Sequence, residues 1–259
     1  MHLIFIRHGD PDYENDSVTE KGRRELELLA RRVSHLNATE LFVSPMGRAQ
    51  ETAAACMRAM PPVKAETVPW LREFSYEITD AKTKKKRLAW DWLPRDYFSE
   101  KKYRSVDTFY RTSSMKSGNI QAHYEEVCRG FDGILASYDY TRISADMPVY
   151  NCFPHLTQQE AQADTHLLAD QKNLDEKTLV FVCHLGVMFA ILSHLTGISP
   201  VQLWQGFFVA PSSVTIAGAE ERVPGEAVFR IQRMGDVSHL AAGGEPASAS
   251  GFFGNYLSV

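Results

Sequence analysis

Three polar clusters in this sequence follow short apolar runs. Arg7-His8-Gly9 follows HLIFI, Ser44-Pro45-Met46-Gly47-Arg48 ends ELFVS, and Cys183-His184-Leu185-Gly186 ends TLVFVC. Glu73 follows a fourth, shorter run. The set suits phosphoryl transfer, which asks a protein for positioning and positive charge rather than for much covalent chemistry. Arginine offers planar, bidentate donors to phosphate oxygens and stays charged. A neutral imidazole is a competent nucleophile for phosphorus, and a second, cationic imidazole can neutralise an oxygen. A carboxyl group that keeps its proton near neutral pH can hand it to the leaving alkoxide. Arg7, His8, Arg48, Glu73 and His184 together supply these parts.

The elements that must hold them are legible in outline. Residues 2–6 read as a buried strand, and Thr19 as the N-cap of a helix over 20–35. Residues 40–44 form a second strand, stopped by Pro45 and followed by an Ala-rich helix over 47–60. A third short strand is expected over 67–71. The segment 75–121 is aromatic and basic without clean periodicity and reads as a helical or irregular insertion near the site. Helical spacing resumes over 122–138, and 139–160 reads as irregular. A buried strand at 178–183, an apolar helix at 187–196 and two last strands at 214–217 and 227–232 follow. The Gly/Ala/Ser-rich tail, 241–259, is expected to be partly mobile, with Phe252, Phe253 and Tyr256 as the residues able to dock it. Strands alternating with helices predict an α/β fold of three layers, α/β/α, around a mostly parallel sheet. In such sheets ligands sit beyond the carboxyl ends of the strands, where the polar clusters fall.

Composition narrows the class. The chain has 259 residues, 44% hydrophobic and 23% charged, with a formal net charge of −4. That is ordinary for a globular protein and gives no global reason to expect nucleic acid. The four cysteines lack metal-ligand or disulfide-scaffold spacing, which suits a reducing, cytoplasmic compartment. No leader and no membrane span are expected. The average charge hides an uneven distribution. Residues 81–104 hold nine Lys/Arg against three acids, a local +6 on a remainder of −10. Lys84-Lys85-Lys86-Arg87, with Trp90, Trp92, Tyr97, Phe98 and Tyr103 after it, has a nucleic-acid reading. A solvated face over packed aromatics is the commoner explanation of such a run. Its position directly after Glu73 favours a lid at the rim of an anion site.

The RHG run at Arg7–Gly9, SPMGRAQETA from Ser44 and CHLG from Cys183 resemble the histidine phosphatase superfamily, which includes the cofactor-dependent phosphoglycerate mutases. With DPDYENDSVTEKG after the first, the motifs agree in order and spacing over 1–74 and about 122–240. The resemblance implies a single domain of that fold, with His8 as the phosphorylated nucleophile. It also implies that Arg7, Arg48 and His184 complete the phosphate pocket and that Glu73 is the proton donor. His184 is followed by Leu185-Gly186 rather than by Asp, which resembles the mutase-like branch, whose donor follows the third strand. Asn15 corresponds to a loop asparagine that approaches the phosphate in related mutases.

Competing readings stand beside these. A lone histidine after a strand is usually structural, and Glu77 and Asp80 lie close enough to Glu73 to rival it. His2, His35, His155, His166, His194 and His239 have no metal-site spacing and read as structural or surface residues. Cys183 reads as a buried strand-end thiol rather than a nucleophile. The expectation is a phosphatase that hydrolyses a phosphomonoester by a two-step route through phosphohistidine. It would use no metal and no cofactor, with the arginines and a protonated His184 supplying charge to a small anionic substrate. Phosphoglycerate mutase chemistry and a non-enzymatic phosphate-ligand module are the alternatives. The mutase reading is weakened because the stretch after Glu73 lacks the Glu-Arg-Arg-Tyr run of glycolytic mutases. No membrane or nucleic-acid partner is expected, and a homodimer is left open.

Overall fold

The computed structural model describes residues 1–91, 93–154 and 177–257, so Trp92, His155 and His166 lie outside the described residues. In chain order the strands and α-helices are β1 (His2–Arg7), β2 (Pro11–Asp12), β3 (Ser17–Val18), α1 (Glu20–Val33), β4 (Glu40–Val43), α2 (Gly47–Ala59) and β5 (Lys64–Thr67). There follow β6 (Glu77–Thr79), β7 (Lys86–Leu88), α3 (Pro94–Phe98), α4 (Ser113–Ser117), α5 (Ile120–Ala136), β8 (Thr141–Ser144) and β9 (Met147–Asn151). The last group is β10 (Thr178–Cys183), α6 (Leu185–Thr196), α7 (Pro200–Gly206), β11 (Val214–Val223), β12 (Glu226–Asp236) and α8 (Ser238–Ala242).

Eight strands make one sheet in the order β5-β4-β10-β1-β11-β12-β9-β8. The first four are mutually parallel, and antiparallel pairing carries the sheet onward from β1 through β11 to β8. Side chains along the parallel strands alternate between two cores, as the period of two requires. Leu3, Phe5, Phe42, Leu179 and Phe181 face α5 and α6, while Ile4, Ile6, Leu41, Val43, Val180 and Val182 face α1 and α2. Phe181 stands at the centre of the first face, its ring 5.2 Å from Phe5, 5.2 Å from Phe42 and 5.4 Å from Phe131. The three-layer α/β/α expectation therefore holds. Thr19 caps α1 as its sequence suggests, accepting from the Gly22 N–H.

Two local expectations are corrected. The third parallel strand is Lys64–Thr67, not 67–71, because Pro69 starts a 3₁₀ turn over Pro69–Leu71. That strand lies at the sheet edge with all four residues exposed, so it carries no apolar signal. The stretch read as irregular contains the β8–β9 hairpin, which joins the sheet through β12.

Within 75–121, the β6–β7 hairpin is followed by short helical turns whose Tyr97, Tyr103, Phe109 and Met115 are buried in the same core as α5 and α6. The tail is held at several points. Glu245 pairs with Lys21 at 3.0 Å and Arg24 at 2.8 Å, the Ser248 hydroxyl donates to Asp10, and Phe252 and Tyr256 pack on Phe208. Among the described residues no helix is long and apolar enough to cross a membrane.

Candidate active site

Register delivers the site. Arg7 pairs with Cys183 at the ends of β1 and β10, and Val43 of β4 pairs with Val182 beside them. The next residues, His8, His184 and Ser44, therefore leave the sheet side by side. The His8 N–H donates to the Cys183 carbonyl at 3.0 Å, and the two imidazole centroids are 5.0 Å apart.

His8 is almost wholly buried, and its Nδ1 lies 2.8 Å from the Gly9 carbonyl. A carbonyl only accepts, so Nδ1 carries the proton and Nε2 keeps its lone pair. Burial, then the charges of Arg7 and Arg48, hold the His8 pKa well below the usual histidine range. The ring is thus a neutral imidazole with a free nucleophilic nitrogen.

His184 is neutral for the same reasons: burial first, then His8, Arg48 and Arg7. This corrects the expectation of a protonated His184, since two guanidiniums already occupy the cluster. Its Nε2 is engaged by Ser44. The Ser44 hydroxyl accepts from the Met46 N–H at 3.3 Å and lies 2.7 Å from His184 Nε2, to which it can donate. With Ser44 donating, the proton of His184 sits on Nδ1, an atom that is buried and has no partner.

Arg7 donates from Nη1 to the Val209 carbonyl at 2.6 Å and from Nη2 to the Ser250 carbonyl at 3.0 Å, and packs over the Phe208 ring. Arg48, at the start of α2, donates from Nη1 to Asp16 and lies over the Tyr13 ring. In both arginines Nε is buried without a partner. A buried unpaired N–H is costly, so orphan donors on Arg7, Arg48 and His184 in one cluster mark a place for an anion.

Glu73 follows the 3₁₀ turn, and its Oε1 accepts from the Phe74 N–H at 2.7 Å and the Val187 N–H at 3.2 Å, at the start of α6. Those bonds and the nearby Arg7 and Arg48 favour the carboxylate, yet burial outweighs them and raises its pKa. The rivals are engaged elsewhere. Glu77 is exposed and pairs with Lys86, while buried Asp80 organises the turn at Lys82 and Thr83. Gly186 is required here, since a Cβ on it would lie 2.6 Å from Glu73 Oε1 and 2.8 Å from the Trp90 ring.

The structure thus brings Arg7, His8, Arg48, Glu73 and His184 together as the sequence reading expects, but leaves out Asn15, which that reading also included. The Asn15 amide is exposed and donates to Asp12 at 2.8 Å. Asp16, unflagged by the sequence reading, enters instead. Its carboxylate accepts from Arg48 and, at 2.7 Å, from the Gly47 N–H at the head of α2. Gly47 admits it, because a Cβ there would meet the Asp16 carbonyl at 2.2 Å. The one sequence signal is an Asp, a residue that tolerates φ of +47°, at the last position of a turn. Cys183 is fully buried, and its thiol is pushed well up by burial, so it is no nucleophile. His194 is bonded to Asp132, and His239 to Arg32.

Buried donors without protein partners around a neutral imidazole make the site suited to phosphoryl transfer, and the comparisons with known proteins bear on it as follows. The family described as histidine phosphatase superfamily (branch 1) matches residues 3–126, the stretch that holds Arg7, His8, Arg48 and Glu73. The resemblance read from the motifs is thus met by a family model over that stretch, and the solved structures similar to this chain share its fold. No curated protein matches the sequence. Among solved structures, Bacillus stearothermophilus YhfR is similar with a TM-score of 0.54 and 16% identity, over 92% of this chain and 98% of that one. The alpha-ribazole phosphatase of Shigella flexneri gives 0.51 and 18%, over 92% and 97%. The phosphoserine phosphatase of Entamoeba histolytica, solved with 3-phosphoglyceric acid, gives 0.53 and 14%, over 92% and 98%. At these identities the likeness is one of fold.

Proposed function

We infer that the protein is a phosphatase that hydrolyses a phosphomonoester through a phosphohistidine on His8. One observation carries this reading: a neutral imidazole with its Nε2 lone pair free, set among buried Arg7, Arg48 and His184 donors that lack protein partners. The naming of fold neighbours as phosphatases supports hydrolysis over a binding role.

In the first step His8 Nε2 attacks phosphorus and the phosphorus–oxygen bond to the leaving group breaks. Protonated Glu73 gives its proton to that oxygen, and its raised pKa is what keeps a proton available. Arg7 and Arg48 hold the equatorial oxygens, and His184 donates from Nδ1 as a neutral group. In the second step water attacks phosphorus while the Glu73 carboxylate takes its proton. The phosphorus–nitrogen bond breaks, His8 returns to neutral imidazole, and inorganic phosphate leaves.

The test is to quench turnover of an alkyl phosphate in alkali and look for an acid-labile phosphoenzyme. Wild type should show it and release phosphate, whereas His8→Ala should do neither. Undiminished phosphate release by His8→Ala would overturn the assignment.

A further inference from the structure

Beside the phosphate cluster lies a cavity of about 610 Å³ walled by three separate parts of the chain. Trp90 comes from the insertion, Trp204, Phe207 and Phe208 from α7 and its end, and Phe252 from the tail. Two of these rings abut the reacting groups. Phe208 packs against the Arg7 guanidinium, 5.6 Å from its centroid, and Trp90 lies with Glu73 against Gly186. The cavity therefore adjoins both the phosphate-holding arginine and the proton donor.

Resting on the phosphatase reading, we propose that this cavity is the leaving-group site and selects phosphomonoesters of alcohols that carry a flat, uncharged aromatic ring. The walls offer ring faces to stack on, in a volume typical of small-molecule sites. Phe207 and Phe252 are 50% and 42% exposed at its mouth, an apolar display that a bound ring would cover. The charged groups argue against a second anionic group on the leaving alcohol. Arg87 is the lining cation, and its Nε already faces the Asp80 carboxylate at 3.5 Å. Asp91, also in the lining, repels a carboxylate. Small carboxylate-bearing alcohols would leave the aromatic walls uncovered and meet an Arg87 already ion-paired with Asp80. The Trp204 indole is committed to the Gly186 carbonyl at 3.0 Å, whereas the Trp90 indole N–H is buried without a partner. Trp90, which lines the cavity and also meets the Glu73 side of Gly186, is on this proposal the specificity-determining residue, and the Gln205 side chain fixes its backbone by donating to the Trp90 carbonyl at 2.9 Å.

Binding of uncleavable phosphonates to the full chain tests this independently of turnover. Dissociation constants are measured by calorimetry for naphthylmethylphosphonate, hexylphosphonate and 3-phosphonopropionate. The aromatic compound should bind at least about tenfold more tightly than either of the others. Trp90→Ala should erase that ratio, Trp90→Phe should restore part of it, and Phe252→Ala, at the exposed mouth, should reduce it. Equal or tighter binding of 3-phosphonopropionate or hexylphosphonate overturns the proposal, as does an unchanged ratio in both Trp90→Ala and Phe252→Ala. Failure of the phosphatase reading shows separately, as absence of phosphoenzyme and of phosphate release from every ester.

Discussion

His8 and Glu73 are tuned in opposite senses by the same burial. Desolvation disfavours whichever form is charged, so it lowers the imidazole and raises the carboxyl. Each shift gives its residue the protonation state that the proposed mechanism requires of it. For catalysis His8 must be neutral, so the acid limb of kcat/KM should fall well below the ordinary histidine range. Glu73 must be protonated at the first step, so the basic limb should lie above the ordinary carboxyl range. Glu73→Gln should remove that basic limb and slow alkyl phosphates by about 10²–10⁴-fold. A 4-nitrophenyl ester, whose leaving group needs no proton, should lose far less. A pH profile on both esters checks this, and an equal loss on the two would contradict the acid role.

At the scale of elements, the site is an outcome of register. Arg7 opposite Cys183 and Val43 opposite Val182 bring the strand ends level, so the polar residues that follow share one rim. The Phe5, Phe42, Phe131 and Phe181 cluster beneath holds that register and ties α5 to the sheet. Phe181→Ala leaves a cavity between three fully or nearly buried rings and should cost about 3–5 kcal/mol of stability. A denaturant melt reads this as a lower midpoint with an unchanged slope. The tail is also an element of the site, because the Ser250 carbonyl accepts from Arg7 and the Tyr13 hydroxyl lies 3.4 Å from Ser250 Oγ.

Over the whole molecule, charge is less focused on the site than the sequence tally implies. Of the basic run, Lys82 pairs with Asp96, Lys86 with Glu77 and Arg87 with Asp80. Lys84 and Lys85 are exposed and do not line the aromatic cavity. On the phosphatase reading the run would act through long-range attraction of a phosphate ester, which salt screens within about 8–10 Å. Replacing Lys84, Lys85 and Lys86 with Gln should flatten the salt dependence of kcat/KM and change its value by roughly threefold or less at physiological ionic strength. Steady-state rates across a salt series decide it. A loss on the scale of the Glu73 variant would mean direct contact.

Much of this was readable from the chain itself, for a physical reason: parallel strands buried on both faces are continuous apolar runs, and the residues that end them stand out. HLIFI, ELFV and TLVFVC marked where Arg7, His8, Arg48 and His184 must sit, and Thr19 announced its helix. Weaker local signals misled. The exposed edge strand Lys64–Thr67 has no apolar pattern, and the β8–β9 hairpin becomes strand only by pairing onto β12. Asn15 and Asp16 are adjacent in a polar loop, and only the close approach allowed by Gly47 decides that Asp16 meets Arg48. The neutrality of His184, the raised carboxyl of Glu73 and the aromatic cavity depend on burial by segments far apart in sequence. Desolvation and side-chain juxtaposition belong to the folded molecule, so the tertiary structure alone decided them.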